Sequence, residues 1–351
     1  MNSIHVGKAR IDWIDYAKGI CIVFVVLLYS TGTIESVTHQ QGWIHLLGDF
    51  ARAFRMPDFF LISGLFVSRA INRPWRAYLD AKLVHFLYFY VLWVTIDFVF
   101  ANWRDLIGPE AGANLLEYLA SYVQPHGQLW FIYMLPLFFI AVKATRSWPV
   151  VVVYGIAIML KMANFDTDWK MIDRFGMYFV FFYSGHILSR RLFDWVEWMR
   201  AHTEARLLYL ATWSLINLIL VAMQWIEVPL INLIMGLTGA FAIILVATIL
   251  TTMRAMSWLR YLGQHSIVVY VGFAVPMLLL RKLIIVNHLI DDVDITSIVV
   301  TTLSIIGALA LYWATKHTRF RFLFERPACV SINNVPRPTI NPLSPSKQLT
   351  E

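Results

Sequence analysis

Long apolar stretches alternate with short polar segments along most of the chain. An apolar run of about 17–25 residues is long enough to cross a bilayer as a helix, and the pattern predicts about ten such helices. Their predicted positions are 17–33, 52–70, 83–101, 129–145, 148–162, 175–190, 206–224, 229–252, 262–285 and 295–315. The pattern therefore predicts an all-α, polytopic membrane bundle.

The same pattern divides the chain into three parts. Residues 1–16 form a short cytoplasmic lead-in, and residues 17–315 form one transmembrane domain without a dividing linker. Residues 316–351 form a cytoplasmic tail, in which prolines among polar residues from Arg326 onwards predict disorder.

Composition agrees with a membrane location. Hydrophobic residues make up 59% of the chain and charged residues only 15%, whereas about a quarter of the residues in soluble domains are charged. This excludes an ordinary soluble domain. We expect a multi-pass protein of the cell membrane, that is, an inner or plasma membrane.

The positive charges favour one orientation. Most of the 29 lysines and arginines lie in the segments that face the cytoplasm if the N-terminus is cytoplasmic, so both termini are predicted to be there. Contact of these segments with anionic membrane lipid explains the net charge of +7 without a nucleic-acid partner. No nucleotide-binding loop, serine-hydrolase elbow or zinc-ligand spacing occurs, so we expect neither a metal nor a bound cofactor.

The first helix carries polar residues on one face. Asp15 and Lys18 are three residues apart, and Tyr29 follows Lys18 by eleven residues, or about three turns, on nearly the same face. A charge inside a membrane helix costs at least about 2.5–3.5 kcal/mol, which makes each one a candidate functional residue. The alternative is an interfacial ion pair with a packed tyrosine.

A second motif runs Arg55-Met-Pro-Asp58-Phe-Phe-Leu-Ile-Ser63-Gly64. Arg55 near an outer helix end is suited to bind a substrate oxygen, or simply extends to the membrane interface. Asp58 lies inside the apolar run, so we expect it to pair with Arg55 or with Lys18. Ser63 and Gly64 contact substrate or only allow close helix packing.

Two further motifs lie later in the chain. His126 precedes Trp130 at an outer boundary, where it is a candidate base or an ordinary loop residue. Ser266 and Tyr270 share a helix face, for substrate contact or for hydrogen bonds between helices.

A basic cluster precedes and enters the third predicted helix. Its members are Arg69, Arg73, Arg76, Lys82 and His85. Guanidinium and ammonium groups suit the phosphate groups of a substrate, although the general excess of cytoplasmic positive charge also explains the cluster.

In this order, the four motifs resemble the acyltransferase-3 family, integral membrane O-acyltransferases that modify sugars and glycans. Segment 10–20 is most similar to its fucose 4-O-acetylase-like bacterial members. The resemblance implies catalytic roles for Asp15, Lys18, Tyr29, Arg55 and His126. It implies substrate contacts for Asp58, Ser63, Arg76, His85, Trp130, Ser266 and Tyr270.

Tyr29 departs from the family pattern, which places a histidine base eleven residues after the basic residue of the first helix. Tyrosine titrates near 10, so forming its anion at pH 7 costs about 4 kcal/mol more than using neutral imidazole. General-base assistance is typically worth about 10²–10⁴-fold in rate. Three outcomes are open: a displaced base such as His126 or His85, a slow enzyme, or a member that binds without turnover.

The resemblance implies transfer of an acyl group, expected to be acetyl, from the co-substrate acyl-coenzyme A (acyl-CoA) at the cytoplasmic side. The expected acceptor is a hydroxyl of an extracytoplasmic or lipid-linked saccharide. The competing interpretation is a non-enzymatic member that acts as a glycan or lipid transporter or as an export accessory protein.

Overall fold

A computed structural model describes residues 11–68, 70–102, 111–125, 127–286 and 292–332. Within these ranges the regular secondary structure is helical. The helices are α1 (Asp12–Thr38), α2 (Ile44–Ala51), α3 (Arg55–Leu65), α4 (Trp75–Leu79), α5 (His85–Asn102), α6 (Ala111–Ser121), α7 (Trp130–Ala144), α8 (Val150–Ala163), α9 (Lys170–Ala201), α10 (Thr203–Ala222), α11 (Pro229–Leu250), α12 (Ser257–Gln264), α13 (Ser266–Gly272), α14 (Ala274–Val286) and α15 (Val293–Thr315). A π-helical turn, Asp80–Val84, joins α4 to α5, and a 3-10 turn, Gly127–Leu129, leads into α7.

The predicted polytopic helical bundle is confirmed. In the described residues, 6 helices are long and apolar enough to cross a membrane, and a bent pair raises the number to 7. The pair is Ser266–Gly272 and Ala274–Leu283, which meet at 48°. The 6 helices are Asp12–Thr38, Trp75–Phe100, Gly127–Ala144, Thr203–Ala222, Pro229–Leu250 and Val293–Thr315.

The predicted number of about ten spans is not confirmed, and three predicted spans account for the difference. The run 52–70 forms α3, which has 11 residues, and the run 148–162 forms α8, which has 14. The run 175–190 lies within α9, whose 32 residues include many charged side chains. Because short helices buried inside a bundle are also apolar, hydropathy alone cannot separate them from spans.

The packing of α3 against α9 depends on a glycine from each helix. A methyl group added at Gly64 would overlap the backbone carbonyl of Phe182 on α9. A methyl group added at Gly185 would overlap the carbonyl of Leu61 on α3. The two backbones therefore pack in direct contact, as small residues allow in membrane helices. The α3–α9 pair is therefore held together by close backbone packing.

The chain turns back onto the bundle after α15. We call residues 318–332 the C-terminal strap. The Tyr88 hydroxyl donates to the Phe322 carbonyl at 2.7 Å, and the Trp93 indole N–H donates to the Leu323 carbonyl at 3.0 Å. The predicted disorder of the tail therefore does not extend to residues 316–332, because α5 binds their backbone. Residues 333–351 lie outside the described ranges.

A buried ion pair fixes the end of the strap. Both terminal nitrogens of Arg326 bind Asp80: Nη1 donates to the Asp80 carbonyl at 2.7 Å and Nη2 to its carboxylate at 2.8 Å. The other carboxylate oxygen accepts from the Ser331 hydroxyl at 3.1 Å and from the Ile332 amide at 2.8 Å. The side chain of Arg326 is only 4% exposed. This network attaches the strap to the π-helical turn that precedes α5.

Candidate active site

A cavity of about 210 Å³ lies among α1, α3, α5, α7 and α13. We call it the central cavity. Its polar lining groups come from Lys18, Ser63, Lys82, Ser266 and Tyr270, and most of the remaining wall is phenylalanine. The fold thus gathers four of the sequence-predicted residues, Lys18, Ser63, Ser266 and Tyr270, around one space.

Two lysines supply the charge of the central cavity. The Lys18 ammonium lies 5.5 Å from the centre of the Phe66 ring, and the Lys82 ammonium lies 4.3 Å from the centre of the Phe139 ring. Aromatic faces stabilise cations through their electron-rich surfaces. The two ammonium groups are close enough to repel each other. None of the described lining residues is acidic, so this end of the cavity has a positive potential.

Tyr270 forms the opposite end of the cavity. Its hydroxyl donates to the backbone carbonyl of Gln128, and its ring lies 5.5 Å from the Phe131 ring. The Gln128 side chain in turn donates to the Asp97 carboxylate at 2.7 Å. The turn before α7 therefore closes this end of the cavity.

Tyr29 lies beyond Tyr270, against the same turn. Its hydroxyl donates to the Gly127 carbonyl at 3.4 Å, and its ring packs 5.7 Å from Phe273. The side chain of Trp130 lies beside the hydroxyl. Gly127 has a φ of 60°, a left-handed conformation that glycine adopts without strain. Tyr29 is thus a hydrogen-bond donor to the 3-10 turn before α7, at the residue with the left-handed backbone conformation.

Two arginines face Tyr29, and we call Arg55 and Arg174 the outer arginine pair. Arg174 donates from Nη1 to the Pro125 carbonyl at 2.8 Å, and its guanidinium lies 4.8 Å from the centre of the Trp130 ring. Arg55 is the first residue of α3. Both charges act electrostatically on the hydroxyls of Tyr29 and Tyr178.

The residues just before α7 are therefore in contact with three other helices. Side chains from α9, α1 and α13 donate to the carbonyls of Pro125, Gly127 and Gln128, respectively. These residues lead to Trp130, the first residue of α7. His126, a predicted catalytic residue, lies among them in sequence but outside the described residues.

The predicted acidic residues lie apart from the central cavity. Asp15 is buried against α12, where its carboxylate accepts from the Gln264 side chain at 3.3 Å. Asp58 is completely buried and accepts from the Cys21 thiol at 2.7 Å. Among the described residues, no cation lies within ion-pair distance of Asp58, so the predicted pairing with Arg55 or Lys18 is not found. The reason is that the Asp58 side chain faces α1 at the level of Cys21.

Two members of the predicted basic cluster also lie apart from the cavity. Arg76 is exposed on α4, and His85 packs against Phe86 and Phe89 with ring centres 5.3 and 5.1 Å away. Of the described cluster members, Lys82 is the residue that lines the cavity. Lys82 lies in the π-helical turn, which changes the direction of side chains relative to a regular helix.

Two residues of the site were not singled out by sequence reasoning. Lys82 was only one of five members of the basic cluster, and Arg174 belongs to none of the motifs described above. The available signal for Arg174 was its position directly before an apolar run, where a charge borders the membrane. In the described residues, no group of His, Cys, Asp and Glu side chains is arranged to hold a metal ion.

Comparison with known proteins identifies the family. Residues 11–317 match the acyltransferase-3 model, whose description is an acyltransferase domain. The chain is 27% identical over 187 residues to the inner membrane protein YcfT of Escherichia coli (strain K12). That match covers 46% of this chain and 52% of the relative, so the chain spans about half the length of the curated relative it matches. No solved structure matches the chain.

The relative is an inner membrane protein, in agreement with the apolar helices and the predicted multi-pass inner-membrane location. Since the family model covers most of its 351 residues, the chain belongs to the acyltransferase-3 family of membrane acyltransferases.

Proposed function

We propose that the protein transfers an acyl group, acetyl, from cytoplasmic acyl-CoA to a hydroxyl of an extracytoplasmic or lipid-linked saccharide. The central cavity carries this proposal. It places Lys18 and Lys82 at one end and Tyr270 at the other, directly below the turn that Tyr29 holds. A cavity with a mostly phenylalanine wall, two cations and few other polar groups suits a reaction in which negative charge develops on a carbonyl oxygen.

The chemistry of the transfer assigns a task to the lysines. The acceptor hydroxyl oxygen attacks the thioester carbonyl carbon, a C–O bond forms, and the C–S bond breaks. The acceptor proton ends on the departing coenzyme A sulfur, so no further reactant is needed. The carbonyl oxygen becomes negative during the attack, and the Lys18 and Lys82 ammonium groups are donors suited to stabilise it.

Tyr29 has a positioning role in this scheme. Its hydroxyl proton is directed at the Gly127 carbonyl, so it supports the turn that leads into α7 and does not accept the acceptor proton. In the sequence, His126 comes between Pro125 and Gly127, whose carbonyls accept from Arg174 and Tyr29. We therefore propose His126 as the base, in preference to His85, which packs between aromatic rings.

The direct test measures acetyl transfer from radiolabelled acetyl-coenzyme A in membranes that contain the protein. We expect transfer by the wild type and a loss of at least about tenfold in Lys82→Ala, because a donor to the developing oxyanion is removed. Tyr29→Phe is expected to lower the rate only a few-fold, because phenylalanine keeps the ring packing on Phe273 and loses only the long hydrogen bond to the Gly127 carbonyl. Tyr29→His is expected to raise the rate about 10–100-fold, since imidazole accepts protons at neutral pH.

The proposed base has its own test and a matched control. His126→Gln is expected to lower the transfer rate by about 10²–10⁴-fold. His202→Gln is the control, because His202 stacks on Trp198 at the end of α9, outside the site. Equal rates in the two variants would remove His126 from the mechanism. Absence of transfer in the wild type and in Tyr29→His would contradict the proposed function.

One observation favours the non-enzymatic alternative. Tyr29 occupies the position of the family histidine, and its hydrogen bond with Gly127 makes it a structural residue. A transporter or export accessory protein would use the same cavity without a base. Purified protein separates the two functions: acyl-coenzyme A cleavage or transfer requires an enzyme, whereas saccharide binding without cleavage indicates the alternative.

A further inference from the structure

The outer arginine pair places two positive charges beside the hydroxyls of Tyr29 and Tyr178. We propose that Arg55 and Arg174 bind an anionic group of the acceptor, so that the substrate class is a saccharide with a carboxylate or a phosphate. Identifying the bound anion as part of the acceptor rests on the proposed function. The anion site itself does not depend on acyl transfer.

The two arginines lie near the N-terminal ends of α3 and α9, two helices that pack in direct contact at Gly64 and Gly185. Both charges also act on the same two hydroxyls, those of Tyr29 and Tyr178. Arg174 is held in place by the Pro125 carbonyl and by the Trp130 ring. Both arginines are half-buried, so they remain accessible. The arrangement is a concentrated positive charge beside two hydroxyl groups.

The nearby acidic residues are bound to other partners. Asp173 accepts from the Thr167 hydroxyl at 2.9 Å and lies 3.7 Å from the Lys170 ammonium. Asp49 pairs with Arg52 at 2.5 Å. Among the described residues, neither member of the outer arginine pair has a carboxylate within ion-pair distance. Their charge is therefore available for an anion from outside the chain.

The energetics favour an anion at this location. Half-buried cations that lack an anionic partner lose hydration without recovering it through an ion pair. The planar guanidinium group binds carboxylate or phosphate through two parallel hydrogen bonds. The N-terminal ends of α3 and α9, which are positive, lie at the same end of the bundle and add to the potential. An acidic group would be stabilised by all of these contributions.

Arg52 provides a matched control. It lies three residues before Arg55, yet its two terminal nitrogens pair with Asp49 and Glu227, each at 2.5 Å. It is also exposed, with 44% of its side chain accessible. Replacing it removes one positive charge from the same end of the protein without touching the outer arginine pair.

The experiment measures binding to the purified full-length protein in neutral detergent by calorimetry. The probes are a methyl hexuronoside, the methyl ester of the same sugar, and a hexose phosphate. We expect the two anions to bind and the ester not to bind. We expect Arg55→Gln and Arg174→Gln to weaken binding at least about tenfold, and Arg52→Gln to leave it unchanged. A stronger response to the uronoside indicates an acidic saccharide, and a stronger response to the phosphate indicates a phosphate-linked lipid carrier.

The inference is overturned if the ester binds as well as the acid, or if the glutamine variants bind like the wild type. Should the glutamine variants fail to fold, Arg55→Lys and Arg174→Lys replace them in the binding test. Lysine keeps the positive charge but cannot form the two parallel hydrogen bonds of a guanidinium group, so these variants should bind the anions several-fold more weakly. Acetyl transfer is measured in the same preparations. Anion binding without transfer would contradict the proposed function alone, and transfer without a preference for anions would contradict this inference alone.

Discussion

Buried arginines occur in two contrasting surroundings in this protein. Arg326 in the C-terminal strap directs both terminal nitrogens to Asp80, whose carboxylate is also bound by Ser331 and Ile332. The outer arginine pair has aromatic rings, hydroxyls and one backbone carbonyl around it, and no carboxylate partner in the described part of the chain. The first arrangement is complete within the chain, and the second requires an anion.

The contrast separates structural from functional charge. A cation whose partner belongs to the same chain contributes to folding, and its removal leaves the partner buried and uncompensated. A cation without such a partner contributes little to folding, so its presence near a cavity indicates binding. A substitution of Arg326 in the strap should therefore lower the stability of the protein. Substitutions in the outer arginine pair should instead weaken substrate binding.

The largest effect on stability is expected at the strap. Arg326→Gln should destabilise the protein by about 3–5 kcal/mol, because it leaves the Asp80 carboxylate buried without its cation. Thermal unfolding in detergent measures the change. Arg321→Gln is the control, since Arg321 is exposed and pairs with Glu325 on the surface; it should unfold at the wild-type temperature. Equal unfolding temperatures for both variants would refute the structural role of Arg326.

An intermediate effect is expected where the two helices of the outer arginine pair cross. Gly185→Ala should destabilise the protein by about 1–3 kcal/mol, because the new methyl group forces α9 away from the Leu61 carbonyl of α3. The same displacement should separate Arg55 from Arg174 and weaken anion binding.

Thermal unfolding and the calorimetric binding assay measure both consequences. Gly155→Ala on α8 is the control, because no atom lies within 4 Å of its added methyl group, and it should be neutral or slightly stabilising. Normal anion binding in Gly185→Ala would mean that the α3–α9 crossing does not set the geometry of the pair.

The smallest effect is expected at Asp58, a buried acid with only a thiol partner. Asp58→Asn should change stability by about 1 kcal/mol or less, because asparagine has nearly the same shape and keeps an acceptor for the Cys21 thiol. Thermal unfolding and acetyl transfer are measured together. A loss of acetyl transfer at unchanged stability would give Asp58 a functional role, like that of the outer arginine pair. A loss of several kcal/mol of stability would give it a structural role, like that of Arg326.

Much of the fold follows from the hydrophobic pattern. Long apolar runs located α1, α5, α7, α10, α11 and α15, since a span in lipid needs both length and low polarity. The same pattern could not show that α3 is a short helix against α9, because an apolar helix inside a bundle has the composition of one facing lipid. The strap was also unpredictable, since its contacts to α5 use backbone carbonyls, which carry no residue-type signal, and nothing in the sequence shows that Arg326 and Asp80 are neighbours.

The site was predictable in its motifs but not in its contacts. Lys18, Ser63, Ser266 and Tyr270 were singled out by the sequence, and they line one cavity. Lys82 and Arg174 were not, because their inward direction depends on a π-helical turn and on which helices are neighbours. Asp58 was expected beside a cation, but the thiol of Cys21 lies there instead.

The helix α1 also fixes the distance between two residues of the site. Lys18 and Tyr29 stand eleven residues apart on it, a separation of about 16 Å along the helix axis. That is about half the thickness of the hydrocarbon layer, and a straight helix cannot shorten it. If acyl-CoA is the donor, as proposed above, its slender, extended arm would reach into the cavity from one side, while its bulky, charged end would stay outside the bundle. The reaction would then have a direction in space: the acyl group crosses the membrane, and the molecule that brought it does not.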